Sequence, residues 1–148
     1  MFNTFNTSAS GLTAQRTRMD AISDNIANVN TTRTPEGGPY RRKMPVFNAR
    51  QSDGKFSNMF RSRIGLNSTD KSQGVEISEI AEDQAPFKTV YDPGHPDADE
   101  EGYVEKPNVN ITMEMVDMID ASRAYEANVT ALDTSKNMAM RAIDIGGS

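Results

Sequence analysis

The residues with the clearest capacity for chemistry surround the only histidine, His95. It lies in the segment YDPGHPDAD, where Asp92 and Asp97 offer carboxylate oxygens to a hard metal ion. The calcium loop of an EF-hand needs alternating ligands, a central glycine and a terminal glutamate, and that pattern is absent. Two prolines and a glycine around His95 favour a shaped turn instead. A small metal-dependent enzyme using His95, Asp92 and Asp97 is therefore the less favoured hypothesis, and we predict no cofactor.

Patterns typical of other active sites are missing from the sequence. The chain has no cysteine, which excludes disulfides, thiolate zinc sites and cysteine nucleophiles. It lacks the nucleophile elbow, the HExxH zinc helix, the P-loop and the dinucleotide-binding glycine fingerprint. The adjacent carboxylates from Asp99 to Glu101 lie in a polar stretch, without the contrasting surroundings of a catalytic acid–base pair. We predict that the protein is not an enzyme.

Charge and hydropathy restrict the partners. A net charge of −5 disfavours nucleic-acid binding, and the basic run from Arg41 to Lys43 is better suited to ion pairs with an acidic patch. No stretch approaches the roughly 18 consecutive apolar residues of a membrane span. The first thirty residues lack the apolar region of a cleaved signal peptide. We therefore expect no nucleic acid, no direct membrane insertion, and any export to proceed without a cleaved signal peptide.

The first structural element that the sequence predicts is a helix at the start of the chain. All seven prolines lie between Pro35 and Pro107, so both ends of the chain are free of this helix breaker. Between Phe2 and about Asn30, apolar side chains recur every seven residues, at Phe5, Leu12, Met19 and Ile26. This spacing predicts an amphipathic helix of coiled-coil type. Its length would be roughly 40 Å.

The second proline-free end predicts another helix, from about Met113 to Ile143. Thr112 is a candidate N-cap, and Gly146 with Gly147 would end the helix. A line of alternating three- and four-residue steps runs along it through Met115, Met118, Ser122, Tyr125, Val129, Leu132, Lys136, Ala139 and Ile143.

The middle of the chain predicts short strands and loops. Residues 75–78 alternate as a half-buried strand does, and residues 87–91 and 103–105 are weaker candidates. The stretch 40–47 is extended, but Pro45 restricts it to a sheet edge or a bulge. Residues 51–73 are polar and rich in Gly, Ser and Asn, which predicts a mobile loop.

Charge divides this middle region. From Arg33 to Arg63 there are eight Lys or Arg and two acids, whereas from Asp70 to Pro107 there are three Lys and eleven acids. The two segments form either solvated surfaces that pair within one fold or complementary patches that meet between subunits. The composition does not separate these two interpretations.

Periodicity alone slightly favours an ordinary intramolecular helix pair, as in a soluble helical adaptor. Two details favour helices that also contact neighbouring subunits. Both predicted helices exceed the usual 8–20 residues, and they lie at the two ends of the chain with all the turn-forming residues between them.

Specific strings resemble a known family. SGLTAQ from Ser10 and DNIANVNT from Asp24 are similar to the N-terminal signature of bacterial flagellar axial proteins, which form the rod, the hook and the hook–filament junction. MVDMI from Met115 and ASRAYEAN from Ala121 are similar to the matching C-terminal signature. The middle strings YRRK, VYDPGHPDA and PNVN narrow the resemblance to flagellar basal-body rod proteins, in particular the proximal rod proteins of the C type.

The resemblance implies an α+β fold in which long N- and C-terminal helices form a coiled-coil-like pair beside a small β-rich middle domain. The expected parts are an N-terminal helix (1–32), a middle domain (33–107) and a C-terminal helix (108–148), with both helices in an inner tube. The implied partners are the protein itself, other rod subunits, the inner-membrane ring with its adaptor proteins, and the flagellar type III export apparatus. The implied location is the basal body, in a shaft that spans the periplasm.

Candidate contact residues follow from the helix stripes, the resemblance and the charged middle. We expect subunit contacts at Phe5, Leu12, Met19, Asn25, Ile26, Asn28, Asn30, Met115, Met118, Tyr125, Val129, Leu132 and Ile143. We expect outer-domain contacts at Arg41, Arg42, Lys43, Tyr91, Asp92 and His95. The family usually carries an acidic pair just before MVDM, and here Met113 replaces one member while Glu114 remains, which puts in doubt any contact that needs both charges.

Overall fold

Two long helices and four short strands make up the described part of the chain. The computed structural model describes residues 2–50 and 74–146, together with Arg63. Its elements are α1 (Phe2–Ala27), β1 (Lys43–Ala49), β2 (Val75–Glu82), β3 (Lys88–Tyr91), β4 (Tyr103–Lys106) and α2 (Ile111–Gly146). The α+β class with long terminal helices is confirmed. The predicted loop at 51–73 lies outside the described residues, except for Arg63.

The helices α1 and α2 run antiparallel against each other. Gly11 lies against Asn128, Arg18 pairs with Asp117, and Asn25 bonds Glu114. A Cβ atom at Gly11 would lie 2.9 Å from Asn128 Oδ1, so glycine permits the close approach at this crossing. If the same register continues, the start of α1 lies opposite about residue 137 of α2. The last turns of α2 therefore extend beyond α1.

Side-chain capping sets the ends that meet the middle region. The helix α1 stops at Ala27 rather than near Asn30, because the Asn28 side chain bonds back to the Asp24 carbonyl and the chain turns through an amide-to-carbonyl bond from Thr31 to Asn28. The helix α2 begins at Ile111, two residues earlier than predicted. Asn110 Oδ1 accepts the Thr112 amide at 3.1 Å, so Asn110 is the N-cap and the prediction of Thr112 was wrong.

The strands form two separate antiparallel ribbons in the described residues, β1 with β2 and β3 with β4. The β1–β2 register shifts between Val46 and Phe47, directly after Pro45, and β1 lies at an edge as that proline predicted. Two-stranded ribbons are marginal on their own, so packing against the helices must support them.

One such support lies at the start of β2. The Val75 amide donates to Ser10 Oγ of α1 at 3.1 Å. Gly74 passes this point with φ of 117°, and a Cβ atom there would lie 2.1 Å from Ser10 Oγ. Only glycine fits both the positive φ and the space.

The buried face of each helix agrees only in part with the predicted apolar stripe. At about every second predicted position, the residue just before the predicted one is the more buried. Five of the six buried positions described on α1 are small or polar, namely Ser8, Gly11, Ala14, Ala21 and Asn25, and the sixth is the large apolar residue Ile22. On α2 the positions turned away from solvent include Glu114, Met118, Ala121, Tyr125, Asn128, Leu132, Ser135 and Ala139. The stripe was predicted from large apolar residues, but small and polar residues line the seam because they let the two backbones approach closely.

Candidate subunit interface

A buried carboxylate, Glu114, joins the two helices to the middle region. Its residue surface is 0% exposed. Arg42 Nε donates to Oε1 at 2.5 Å, and Asn25 Nδ2 donates to Oε2 at 3.0 Å. A buried charge is costly unless it is paired and hydrogen-bonded, and both oxygens of Glu114 have partners here. We call Asn25, Tyr40, Arg42, Lys43 and Glu114 the polar junction.

Asn25 connects α1 to the segment that enters β1. Its Oδ1 accepts the Lys43 amide at 2.8 Å and the Tyr40 hydroxyl at 3.0 Å. Its Nδ2 donates to the Lys43 carbonyl at 2.9 Å as well as to Glu114. The side chain thus bonds both backbone groups of Lys43, as a neighbouring strand would, and fixes where the middle region leaves the helix pair.

Tyr40 completes this arrangement as a buried donor. Burial raises its pKa to about 12, and the negative charges of Asp24, Glu114 and Glu82 add to this effect. The neutral hydroxyl is therefore the form that the folded protein favours, which suits its donation to Asn25.

Two arginines extend the polar junction toward the surface. Arg42 reaches Asp117 Oδ2 at 3.2 Å, and Arg18 of α1 reaches Asp117 Oδ1 at 2.9 Å. These pairs are partly exposed, so each contributes less than about 1 kcal/mol. These pairs help to position the helices rather than to stabilise them strongly. Asp117 lies one turn beyond Glu114, and its pair with Arg18 is a second contact between α1 and α2.

The basic run makes no described ion pair with the acid-rich segment that follows it. Arg42 pairs with α2, whereas the Arg41 guanidinium lies 4.3 Å from the centre of the Phe87 ring and donates to the Asp83 carbonyl. Lys43 Nζ lies 5.6 Å from the Tyr40 ring centre. In the ranges 2–50 and 74–146, no Lys or Arg forms a salt bridge with a carboxylate of residues 74–107. Complementary patches between subunits stay a prediction.

The β3–β4 ribbon presents the remaining predicted contact residues. Tyr91 and Tyr103 meet edge to face with ring centres 5.2 Å apart, and both are exposed, as is Asp92. His95 is half-buried, and its Nδ1 accepts the Asp97 amide at 3.1 Å. His95 therefore acts as part of a hydrogen-bonded turn in this structure, and the described residues contain no cluster of three or more potential metal ligands.

The surface of α2 carries an unusual amount of exposed apolar side chain. Ten large apolar residues of α2 are exposed. Among the described side chains of α1, no large apolar one is exposed. They concentrate in two groups with a mainly polar stretch between them. We define the proximal patch as Ile111, Met113, Met115, Val116 and Ile119. We define the distal patch as Met138, Met140, Ile143 and Ile145.

The predicted interface residues differ in how much of their surface is exposed in the single chain. Asn25 is buried inside the monomer, and Asn28 bonds its own helix. The half-buried ones are Phe5, Leu12, Met19, Ile26, Met118, Tyr125 and Leu132. The exposed ones are Asn30, Met115, Val129 and Ile143. Contact of these residues with another subunit stays a prediction, and Met115 and Ile143 are the most accessible apolar members.

Sequence reasoning missed two residues that organise the junction. Glu114 was noted only as the remaining member of an acidic pair. Met113 is exposed, whereas the single carboxylate of Glu114 bonds both Asn25 of α1 and Arg42 of the segment that leads into β1. Asn108 was quoted only within a family string. Its side chain accepts the Arg42 amide at 2.9 Å and donates to the Asp83 and Ala85 carbonyls. Periodicity cannot find such residues, because their role depends on backbone groups far away in sequence.

The helices also bear on membrane contact. In the described ranges, neither α1 nor α2 combines the length and the continuous apolar character that crossing a bilayer requires.

Comparison with known proteins identifies the family. Residues 5–33 match the family model described as flagella basal body rod protein, and residues 100–145 match the one described as flagellar basal body rod FlgEFG protein C-terminal. Both matches centre on the helices joined by the polar junction. They also separate the rod hypothesis from the adaptor hypothesis, which the intramolecular helix pair alone does not do.

Full-length relatives agree with these matches. The chain is 49% identical to the flagellar basal-body rod protein FlgC of Borreliella burgdorferi, over 98% of this chain and 97% of the relative. It is 49% identical to FlgC of Bacillus subtilis over the same shares, and 38% identical to FlgC of an Escherichia coli strain over 99% and 98%. The chain therefore belongs to the FlgC family of flagellar basal-body rod proteins, structural subunits of the proximal rod.

Proposed function

We propose that this rod subunit polymerises with copies of itself and with other flagellar rod subunits into a tubular drive shaft that transmits torque and encloses the export channel. The observation that carries the proposal is the surface of α2. A helix with exposed Met and Ile groups at both ends loses stability in water and gains it when neighbours cover those groups, at about 25 cal/mol for each Å² of apolar surface buried.

The proposed division of labour follows the fold. Residues 1–32 and 108–148 form the inner tube, and residues 33–107 form the outer, β-rich domain. The polar junction holds these parts at a fixed angle, so that load on one is transmitted to the other. The inner-membrane ring with its adaptor proteins would contact the base of the shaft, and the type III export apparatus would deliver subunits without a cleaved signal peptide to a shaft that spans the periplasm.

This function requires no catalysis. The most histidine- and carboxylate-rich segment, around His95, is bonded as a turn, and the relatives are structural rod proteins. We therefore propose a mechanical role without enzymatic activity.

The test is deletion and replacement of the gene in the source bacterium. Deletion should abolish swimming and remove the rod from isolated basal bodies, and the natural protein should restore both. A variant with Met138→Asp and Ile143→Asp should fail to restore them, because it places charges in the distal patch. The matched control, Thr134→Asp with Asn137→Asp, changes exposed polar residues of the same helix and should restore swimming. Complete rods in the deletion strain would contradict the proposal.

A further inference from the structure

We propose that His95 is a proton-operated latch. In its neutral form it holds the turn that joins β3 to β4 against the connection between α1 and β1, and protonation of its ring releases that contact. The inference does not depend on the proposed function, because every group in it belongs to one chain. It gives His95 a conformational role rather than a catalytic or metal-binding one.

The turn between β3 and β4 is built around the His95 ring. The Asp97 amide donates to His95 Nδ1 at 3.1 Å, and Pro96 between them has no amide hydrogen of its own. The His95 amide donates to the Asp92 carbonyl at 3.1 Å, and the Ala98 amide donates to the His95 carbonyl at 3.1 Å. Nδ1 acts as an acceptor here, which requires an uncharged ring with its proton on Nε2.

One side-chain contact ties this turn to the connection between α1 and β1. The Thr32 hydroxyl donates to Asp97 Oδ2 at 2.8 Å. Among the described residues, no other hydrogen bond or ion pair joins the turn, residues 92–102, to that connection. Asp97 therefore carries both parts of the latch, because its amide bonds the His95 ring and its carboxylate bonds Thr32.

Protonation of the ring acts on both parts. Asp97 Oδ2 lies 4.0 Å from His95 Nδ1, and the two side chains are 30% and 27% exposed, so protons from solvent reach the ring. In the charged ring both nitrogens are donors, so Nδ1 no longer accepts the Asp97 amide and rotation of the ring does not restore an acceptor. The new N–H group attracts Asp97 Oδ2, which is the atom that Thr32 uses. The turn thus loses an internal bond, and its bond to Thr32 meets a competitor.

The other charged groups around this site are of types that titrate outside the interval of histidine. The acids of the turn itself are Asp92, Asp97, Asp99, Glu100 and Glu101. Arg33 of the connection and Glu105 of β4 line the adjoining cavity. Carboxylates ordinarily titrate near about pH 4 and guanidinium groups above about pH 12, whereas histidine changes charge between about pH 5 and 8. A change in the turn over the latter interval is therefore assigned to His95.

Only the tip of the β3–β4 ribbon should respond. Its base is fixed by the buried Val104 and by the Asn108 side chain, which bonds the Arg42 amide and the Asp83 carbonyl. The exposed aromatic pair of Tyr91 and Tyr103 lies next to the turn. Release of the latch therefore changes where this aromatic pair is held relative to the connection.

Paramagnetic relaxation in NMR spectra of the full chain tests the proposal. A nitroxide on Glu36→Cys labels an exposed position of the connection, and the chain has no other cysteine. The label should broaden the Glu100 amide signal strongly at about pH 8, and most of this broadening should be lost at about pH 5.5. The midpoint should equal that of the His95 ring signals, and the Lys106 amide at the base of the ribbon should not change.

Two variants of the labelled chain provide the controls. His95→Asn supplies an acceptor that does not titrate, because an asparagine oxygen can accept the amide two residues on, and the broadening should stay strong at both pH values. Thr32→Val removes the hydroxyl at nearly constant size and should give weak broadening at both.

Three results would overturn the latch. The first is broadening at Glu100 that stays constant while the His95 ring titrates. The second is a pH dependence that persists in His95→Asn, which would assign it to another group. The third is a Thr32→Val chain that matches the natural contact at about pH 8. Each measurement uses the isolated chain, so none of these results bears on the proposed function.

Discussion

Glu114 is the residue on which the relative placement of three segments depends. It is buried, it is charged, and its two partners come from α1 and from the segment that leads into β1. Met113, the residue directly before Glu114, is exposed. The junction therefore needs one carboxylate, and Met113 is free to contribute to the proximal patch.

We expect Glu114→Ala to lower the free energy of unfolding by about 3–5 kcal/mol, because it leaves the Arg42 charge and the Asn25 amide without their buried acceptor. Chemical denaturation measures this change. Glu126→Ala, at an exposed position of the same helix, is the matched control and should change stability by less than about 0.5 kcal/mol. Equal effects of the two substitutions would contradict the role of Glu114.

Asn25 and Asn28 lie one turn apart and looked equivalent in the sequence. Asn25→Ala removes four hydrogen bonds and orphans buried groups, which should cost about 2–4 kcal/mol in the free energy of unfolding. Asn28→Ala removes two local bonds, one to the Asp24 carbonyl and one from the Thr31 hydroxyl, and should cost less than about 1 kcal/mol because neither partner is deeply buried. The two variants serve as each other's control in urea denaturation, and a larger loss for Asn28→Ala would refute the assignment.

The ionisation of Tyr40 makes a signed prediction about alkaline pH. Its pKa is about 12 in the folded protein against an ordinary value of 10.0, so the unfolded chain releases this proton first as pH rises. The stability that Tyr40 contributes is therefore complete below pH 10 and is lost between pH 10 and about 12. Denaturation midpoints of the natural protein and Tyr40→Phe should converge over this interval. A difference that stays constant with pH would contradict the buried, neutral hydroxyl.

At the scale of elements, the helix pair is closest where residues are smallest. Gly11→Ala should destabilise the natural protein, because the new Cβ atom would meet Asn128 and disturb its bond to the Ala124 carbonyl. In an Asn128→Ala background the same substitution should stabilise by up to about 1 kcal/mol, since alanine is the better helix former. Thermal denaturation of the four proteins measures this change of sign. A gain of stability in both backgrounds would show that the crossing is not close.

Protection of α2 against hydrogen exchange should be uneven along its length. Amides from Glu114 to Tyr125 are supported by the polar junction and by α1, whereas amides from Met138 onward lack that support in the monomer. We expect the latter to exchange fastest within α2 in dilute solution, in the manner of a locally fraying end. Uniform protection to the end of α2 in a monomer would contradict this prediction.

The sequence predicted the elements better than the faces they bury. Prolines, glycines and apolar spacing located both helices and the strands at 75–82, 88–91 and 103–106. The residues of α2 that face α1 were predicted incorrectly at about every second position. Glu114, Ala121 and Asn128 face α1, but the prediction chose more apolar neighbours such as Met115 and Val129. Tertiary bonds of Asn25 and Asn108 to distant backbone groups leave no periodic signal. Only the folded chain shows that the polar residues close the pair and the large apolar ones remain outside.

At the scale of the whole molecule, the described part of the monomer exposes large apolar side chains to solvent. Its described buried apolar residues are few, and most of its exposed large apolar side chains belong to α2. The intramolecular pair and the polar junction fix how the helices meet the middle region, and the two exposed patches are the surfaces that we propose neighbouring subunits cover. Membership of the FlgC family places the subunit in the basal-body rod.

A cryo-electron-microscopy map of intact basal bodies from the source bacterium is the most direct test of this account. It should show this chain in the proximal rod, with α1 and α2 paired antiparallel, Glu114 between Asn25 and Arg42, and both patches of α2 covered by neighbouring subunits. A rod that lacks the chain, or one in which Ile111–Ile119 and Met138–Ile145 face open solvent, would contradict it.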